Sequence, residues 1–212
     1  SAALQNADGV HFTPPLLPAL DHDFIPSPTA GQWFWPGPGL FQQGELFLAL
    51  PAFVHVPTHE EAFGFLQAQT VWVSVKQAHQ PPAQWQFTYR PVPWSAAKTQ
   101  NVSYTVAGVQ DTHYWYLYGY GDHDVKPTPA SNDVPRRERR AFLLRLPRLP
   151  HPFAHAPEFW DGRGWSPEIS AAQPLFSGFQ SEASVAYDPD LKRYVMVLKS
   201  CGFHEANCSI NL

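Results

Sequence analysis

Trp33-Phe34-Trp35-Pro36-Gly37-Pro38-Gly39-Leu40 runs on into Gly44-Glu45-Leu46-Phe47-Leu48-Ala49-Leu50 and sets an aromatic, Gly/Pro-rich corner directly before a short apolar strand. The plan recurs. Gly108-Val109-Gln110-Asp111 leads into His113-Tyr114-Trp115-Tyr116-Leu117-Tyr118-Gly119-Tyr120. Further on, Ser181-Glu182-Ala183-Ser184-Val185-Ala186-Tyr187 turns through Asp188-Pro189-Asp190 into Tyr194-Val195-Met196-Val197-Leu198. Corner-and-strand units of one style, repeated at similar spacing, are the sequence signature of a β-propeller, in which each blade is one antiparallel sheet.

Composition points the same way. The 212 residues include 23 prolines, too many for a helical protein, because proline breaks helix interiors and collects at turns and sheet edges. Aromatic residues make up 15% of the chain, which gives it the apolar bulk to order itself and excludes disorder for most of its length. A formal charge of −4 offers no basic face for a phosphate backbone, so nucleic acid is excluded as a partner. The basic cluster Arg136-Arg137-Glu138-Arg139-Arg140 reads as the solvated entry to the strand 141–146. No segment approaches the ~20 consecutive apolar residues of a membrane-spanning helix, and Ser1-Ala2-Ala3 reads as a mature or trimmed start.

The pattern predicts a lead-in and blade remnant over 1–28, blades over 29–95 and 96–166, and a partial blade over 167–212. The first blade would use strands 39–42, 45–56, 69–77 and 85–92, and the second 103–107, 113–120, 140–146 and 158–165. The third would use 182–187 and 193–199, with a further strand beginning at Ile210. Propellers close with four to eight blades, so the expectation is an incomplete propeller whose remaining blades come from other segments or other chains. The polar loop 121–135 is the candidate ligand-facing loop.

Cys201 and Cys208 are spaced to close a loop between strands by a disulfide, and they also resemble half of a metal site whose other half is missing. Together with the glycosylation sequons at Asn101 and Asn207, they point to an oxidising, secreted or cell-surface setting. Asp122, His123 and Asp124, with His113, form the candidate cluster for Ca²⁺ or an imidazole-bound transition metal, although Asp-x-Asp in a loop is common and no cofactor is required by the reading. His55 and His59 fall at a proline-broken strand end and do not make a helical two-histidine site.

The ordered set Trp33-Phe34-Trp35-Pro36-Gly37, Gly44-Glu45-Leu46-Phe47, Tyr116-Leu117-Tyr118-Gly119, Arg139 to Pro147, Glu158-Phe159-Trp160-Asp161-Gly162 and Ser181 to Val185 resembles a large secreted family of five-bladed propellers. Its domains were first catalogued as being of unknown function, and it includes endo-D-arabinanase-type glycoside hydrolases. More distantly, the set is similar to the arabinanase, invertase and levansucrase group. The resemblance spans roughly residues 28–212. It implies an all-β, five-bladed-type propeller acting on a polysaccharide or other glycan, with two carboxylates flanking the scissile bond.

Glu182, at the head of an inner strand between Ser181 and Ser184, matches the position where relatives carry Glu and would serve as acid/base. The competing reading makes it a carboxylate that hydrogen-bonds a neighbouring blade and locks the propeller. Pro38 stands where several relatives read Asp in Trp-Pro-Gly-Asp-Gly, and proline can act as neither acid, base nor nucleophile. Asp8 and Asp111 are poor substitutes, one near a terminus and one a turn residue. Trp35 and Trp160 are the expected sugar platforms, with Asp122 as a further ligand contact, while Trp33, Trp94, Trp115 and Trp165 fall mostly between blades. Two functions follow: a glycoside hydrolase-like domain, or a non-catalytic carbohydrate-binding or structural propeller in an extracellular glycoprotein assembly.

Overall fold

The computed structural model describes residues 24–55, 64–92, 102–122, 139–179 and 182–199, with the short strands β1 (Leu4–Gln5), β2 (Phe12–Thr13) and β16 (Ile210–Asn211). The described residues form antiparallel sheets with no α-helix. Helical geometry is confined to 3-10 turns at Pro82–Gln84, Pro152–Ala154 and Ile169–Ala171. No helix among them is long and apolar enough to cross a membrane.

Sheet I contains β3 (Gln32–Phe34), β4 (Gly39–Gln42), β5 (Glu45–His55), β6 (Phe65–Lys76) and β7 (Gln86–Pro91). Strands β4 to β7 form a four-stranded meander. Gln43 and Gly44 both take positive φ, as the tight two-residue turn between β4 and β5 requires. β5 is long enough to pair with β4 along its first half and β3 along its second. The Trp35-Pro36-Gly37-Pro38 segment bridges those two strands, held to β5 by Trp35 N–H to the Pro51 carbonyl and Ala49 N–H to the Pro38 carbonyl. The prolines have no N–H to add to the ladder. Gly37 is required here, because a Cβ would collide with the Ala49 carbonyl oxygen.

Sheet II repeats the meander with β8 (Val102–Gln110), β9 (Tyr114–Asp122), β10 (Arg139–Pro147) and β11 (Glu158–Trp160), extended by β12 (Trp165–Ser166) and by β13 (Phe176–Ser177) on the other end of β10. Strand alternation sorts its faces. Trp115, Leu117, Phe142, Leu144, Leu146 and Phe159 are buried towards sheet I, whereas Tyr114, Tyr116, Tyr118 and Tyr120 line the opposite face half-buried. Phe153 enters the seam from its 3-10 turn and stacks on Trp72 at 4.6 Å and 7°. Across the same seam the Gln42 amide donates to the Arg148 carbonyl at 2.7 Å, and Arg148 Nε donates back to Gln42 Oε1 at 3.1 Å.

Sheet III comprises β14 (Ala183–Asp188), β15 (Arg193–Lys199) and β16. Each sheet has one innermost strand, β4, β8 or β14, which among the described residues pairs on one edge only. β8 makes contact with both of the others, and this convergence of inner strands is the arrangement of propeller blades.

The chain is therefore all-β and partial β-propeller-like, with strands close to where the sequence places them. β3 and β13 lie outside the expected strands and β8 runs on to Gln110, past its expected end; two further segments also differ. β6 begins at Phe65, four residues before the expected start, because its first residues pair with the far half of β5 beyond a bulge at Ala52/Phe53. The strand expected over 158–165 is a hairpin: Asp161 Oδ1 accepts from Arg163 N at 2.8 Å and Gly164 N at 2.6 Å, and Gly162 takes φ of 92°.

Candidate site at the meeting of the inner strands

Between the three inner strands lies an open pocket of about 270 Å³ lined by residues 36–39, 106–108 and 183–185. A second of about 300 Å³, lined by residues 39–41, 108–110 and Trp115, continues between β4 and β8, and the two share Gly39 and Gly108. Local sequence explains the smooth walls. Pro38 and Gly108 face each other so closely that a Cβ on Gly108 would lie 2.8 Å from Pro38 Cβ. On β8, residues 104–106 oppose only Gly119, and this bulge places Val106 at the cavity. At the base of the bulge the Ser103 hydroxyl bonds Thr105 at 2.7 Å and accepts from Gln67 Nε2 at 2.8 Å.

Among the described lining residues, the side chains with hydrogen-bonding groups are Ser184 and Gln110, besides the Trp115 indole, and none is a carboxylate. Glu182 directly precedes the lining residues Ala183 and Ser184. Its own side chain is 52% exposed and pairs with Lys199 Nζ at 3.5 Å, a partner set by the β14–β15 register. Pro38 lines the cavity.

Trp35, next to the lining residue Pro36, is 43% exposed. Its ring is seated 4.4 Å from Phe53 and 5.1 Å from Phe65, with Trp33 and His55 extending the cluster. Trp160 lies elsewhere, half-buried on the face of sheet II turned away from sheet I, 5.7 Å from Trp165. Trp115 is buried in the seam between sheets I and II, as expected of an inter-blade tryptophan.

Asp111 is a turn residue. Its Oδ1 accepts from His113 N and Tyr114 N, each at 2.7 Å, and its Oδ2 from the Tyr116 hydroxyl at 2.8 Å. Partial burial pushes its pKa upward, but these bonds outweigh it and hold the carboxyl below its ordinary value. The Tyr116 hydroxyl is pushed up to about 12 by burial and by that same carboxylate.

Asp122 and His113 stand at opposite ends of β9, roughly 30 Å apart at ~3.3 Å per residue. His113 therefore does not join Asp122 in a metal site, and no cluster of three or more His, Cys, Asp or Glu occurs among the described residues. The Asp122 side chain, His123, Asp124, His59, Asp8 and Trp94 lie outside the described residues, as do Asn101, Asn207, Cys201 and Cys208. What sequence reading missed is the pair Arg145–Glu158, joined at 2.7 Å; alternation along Phe142-Leu143-Leu144-Arg145-Leu146 already puts Arg145 on the face opposite the core. No family model matches this chain, and no curated protein matches it.

Proposed function

We propose that this chain is a non-catalytic carbohydrate-binding part of an extracellular β-propeller, with a glycan seated at the mouth of the inner-strand cavity against Trp35. The observation that carries the reading is a pocket whose described lining holds no carboxylate and whose lining residue Pro36 directly follows Trp35, an indole 43% exposed and packed on Phe53 and Phe65. An indole face held by neighbouring rings meets the C–H face of a sugar with little ordering cost, and Ser184 and Gln110 of the lining supply polar contacts. Hydrolysis needs two carboxylates across the bond. The extracellular setting rests on the two sequons and the two cysteines.

Affinity electrophoresis in gels containing arabinan, xylan, glucan or mannan tests the reading. The wild-type chain is expected to be retarded by at least one, and Trp35→Ala to weaken that binding by about tenfold, or ~1.4 kcal/mol. No retardation in any gel, or retardation unchanged by Trp35→Ala, would overturn it. The second reading is a glycoside hydrolase-like domain, favoured by the place of Glu182 beside the cavity-lining head of β14. It predicts release of reducing ends from one of these polysaccharides, abolished by Glu182→Gln with the fold intact. A half-exposed pair such as Glu182–Lys199 contributes no more than ~1 kcal/mol to stability, so that variant isolates chemistry from folding.

A further inference from the structure

The face of sheet II turned away from sheet I carries a cluster that the cavity does not use. Register sets Tyr116, Arg145 and Glu158 side by side across β9, β10 and β11, and sets Trp160 opposite Trp165 across the hairpin that follows. The Arg145 guanidinium is sandwiched between the rings of Tyr114, 4.0 Å away, and Trp165, 4.3 Å away. Its Nε donates to Glu158 Oε2 at 2.7 Å. Two ring faces and one ion pair fix its plane.

What remains unused is specific. The Arg145 Nη groups and Glu158 Oε1 have no hydrogen-bond partner among the described residues, and the two side chains are 18% and 34% exposed. They therefore present donors and an acceptor to solvent, beside the half-buried indole of Trp160. Vicinal hydroxyls of a pyranose both donate and accept, and its C–H face suits an indole. Because Glu158 compensates Arg145, the pair has no net charge with which to select a uronate or a phosphate.

We propose that Arg145, Glu158 and Trp160, at the outer strands on the face of sheet II turned away from sheet I, form a second saccharide site for a neutral sugar bearing vicinal hydroxyls. The inference rests on the glycan-binding reading above but uses different residues, so the two can fail separately. The probes are neutral hexaoses (cello-, xylo-, manno- and arabino-) and a hexagalacturonate, titrated into the full chain by calorimetry, with thermal melts confirming that each variant is folded.

The Trp35→Ala chain is expected to keep one weaker site for a neutral hexaose. Adding Trp160→Ala removes it, while adding Trp160→Tyr, which retains a ring, preserves most of it. Glu158→Gln leaves Arg145 uncompensated and is expected to shift the preference at least tenfold towards hexagalacturonate, a change that a purely structural ion pair would not produce. Three results overturn the second site: no residual site in Trp35→Ala, residual binding indifferent to Trp160→Ala, or a wild-type second site that takes only the uronate. Loss of all binding through Trp160→Ala alone, with Trp35→Ala silent, would overturn the channel-mouth reading and leave this site standing. A wild-type chain that binds no glycan overturns both.

Discussion

Phe153 is the wedge that joins sheets I and II, and truncating it is the sharpest test of how the fold is held. Its side chain is 5% exposed, stacks on Trp72 at 4.6 Å, meets Phe47 edge-on at 5.4 Å and reaches Trp115 at 6.0 Å. Phe153→Ala would leave a void bordered by three large rings that cannot collapse together, since each is anchored in its own strand. Core Phe→Ala changes cost about 3–5 kcal/mol, and lost ring pairing, ~0.5–1.5 kcal/mol per pair, places this one in the upper part of that range. Taking about 4.5 kcal/mol, and 2–4 °C per kcal/mol for a chain of this size, Tm falls by roughly 9–18 °C. Chemical denaturation gives the free energy and calorimetry the Tm. A loss under about 1 kcal/mol would refute the seam as a load-sharing core. A second, earlier transition would show that the sheets unfold separately.

Two further outcomes follow from the same geometry. Gly119→Ala places a Cβ against the Ser103 carbonyl and the Tyr104 backbone at the β8 bulge, with an expected cost of about 2–3 kcal/mol in urea unfolding; a neutral change would contradict the close approach. For Asp111, a folded carboxyl held below its unfolded value contributes stability that is present above the unfolded pKa, about 3.9, and is lost as pH falls through the folded value. The wild-type advantage over Asp111→Asn is therefore largest near neutral pH and shrinks below about pH 4. A difference that stays constant with pH would refute the assignment.

The strands were legible because alternation and turn chemistry agree locally. Gln43-Gly44 sits between apolar runs, and Val71-Trp72-Val73-Ser74-Val75 has the β-branched content of a strand covered on both faces. The hairpin after β11 was also written in Asp161-Gly162-Arg163-Gly164, but its flanking aromatics read as one continuous strand. The site was less legible, because it depends on contacts between distant segments. Pro38 is legible in sequence as a position that cannot carry an acid, yet the scarcity of polar side chains among the described lining residues appears only when residues 36–39, 106–108 and 183–185 come together. Lys199 became the partner of Glu182 through a register that pairs Ala183 with Leu198. Trp35 and Trp160 have similar sequence surroundings; only packing shows one seated on Phe53 and Phe65 and the other against Trp165 on the face of sheet II turned away from sheet I.

The central claim, a glycan held where the inner strands meet, is tested most directly by hydrogen exchange of the chain with and without a saturating neutral oligosaccharide. The account predicts slowed exchange of backbone amides at Gly37 and Gly39 and within residues 106–108 and 183–185, which line the pocket where, among the described residues, β4, β8 and β14 each pair along one edge only. Unchanged exchange in all three segments, with the oligosaccharide demonstrably bound, would contradict it.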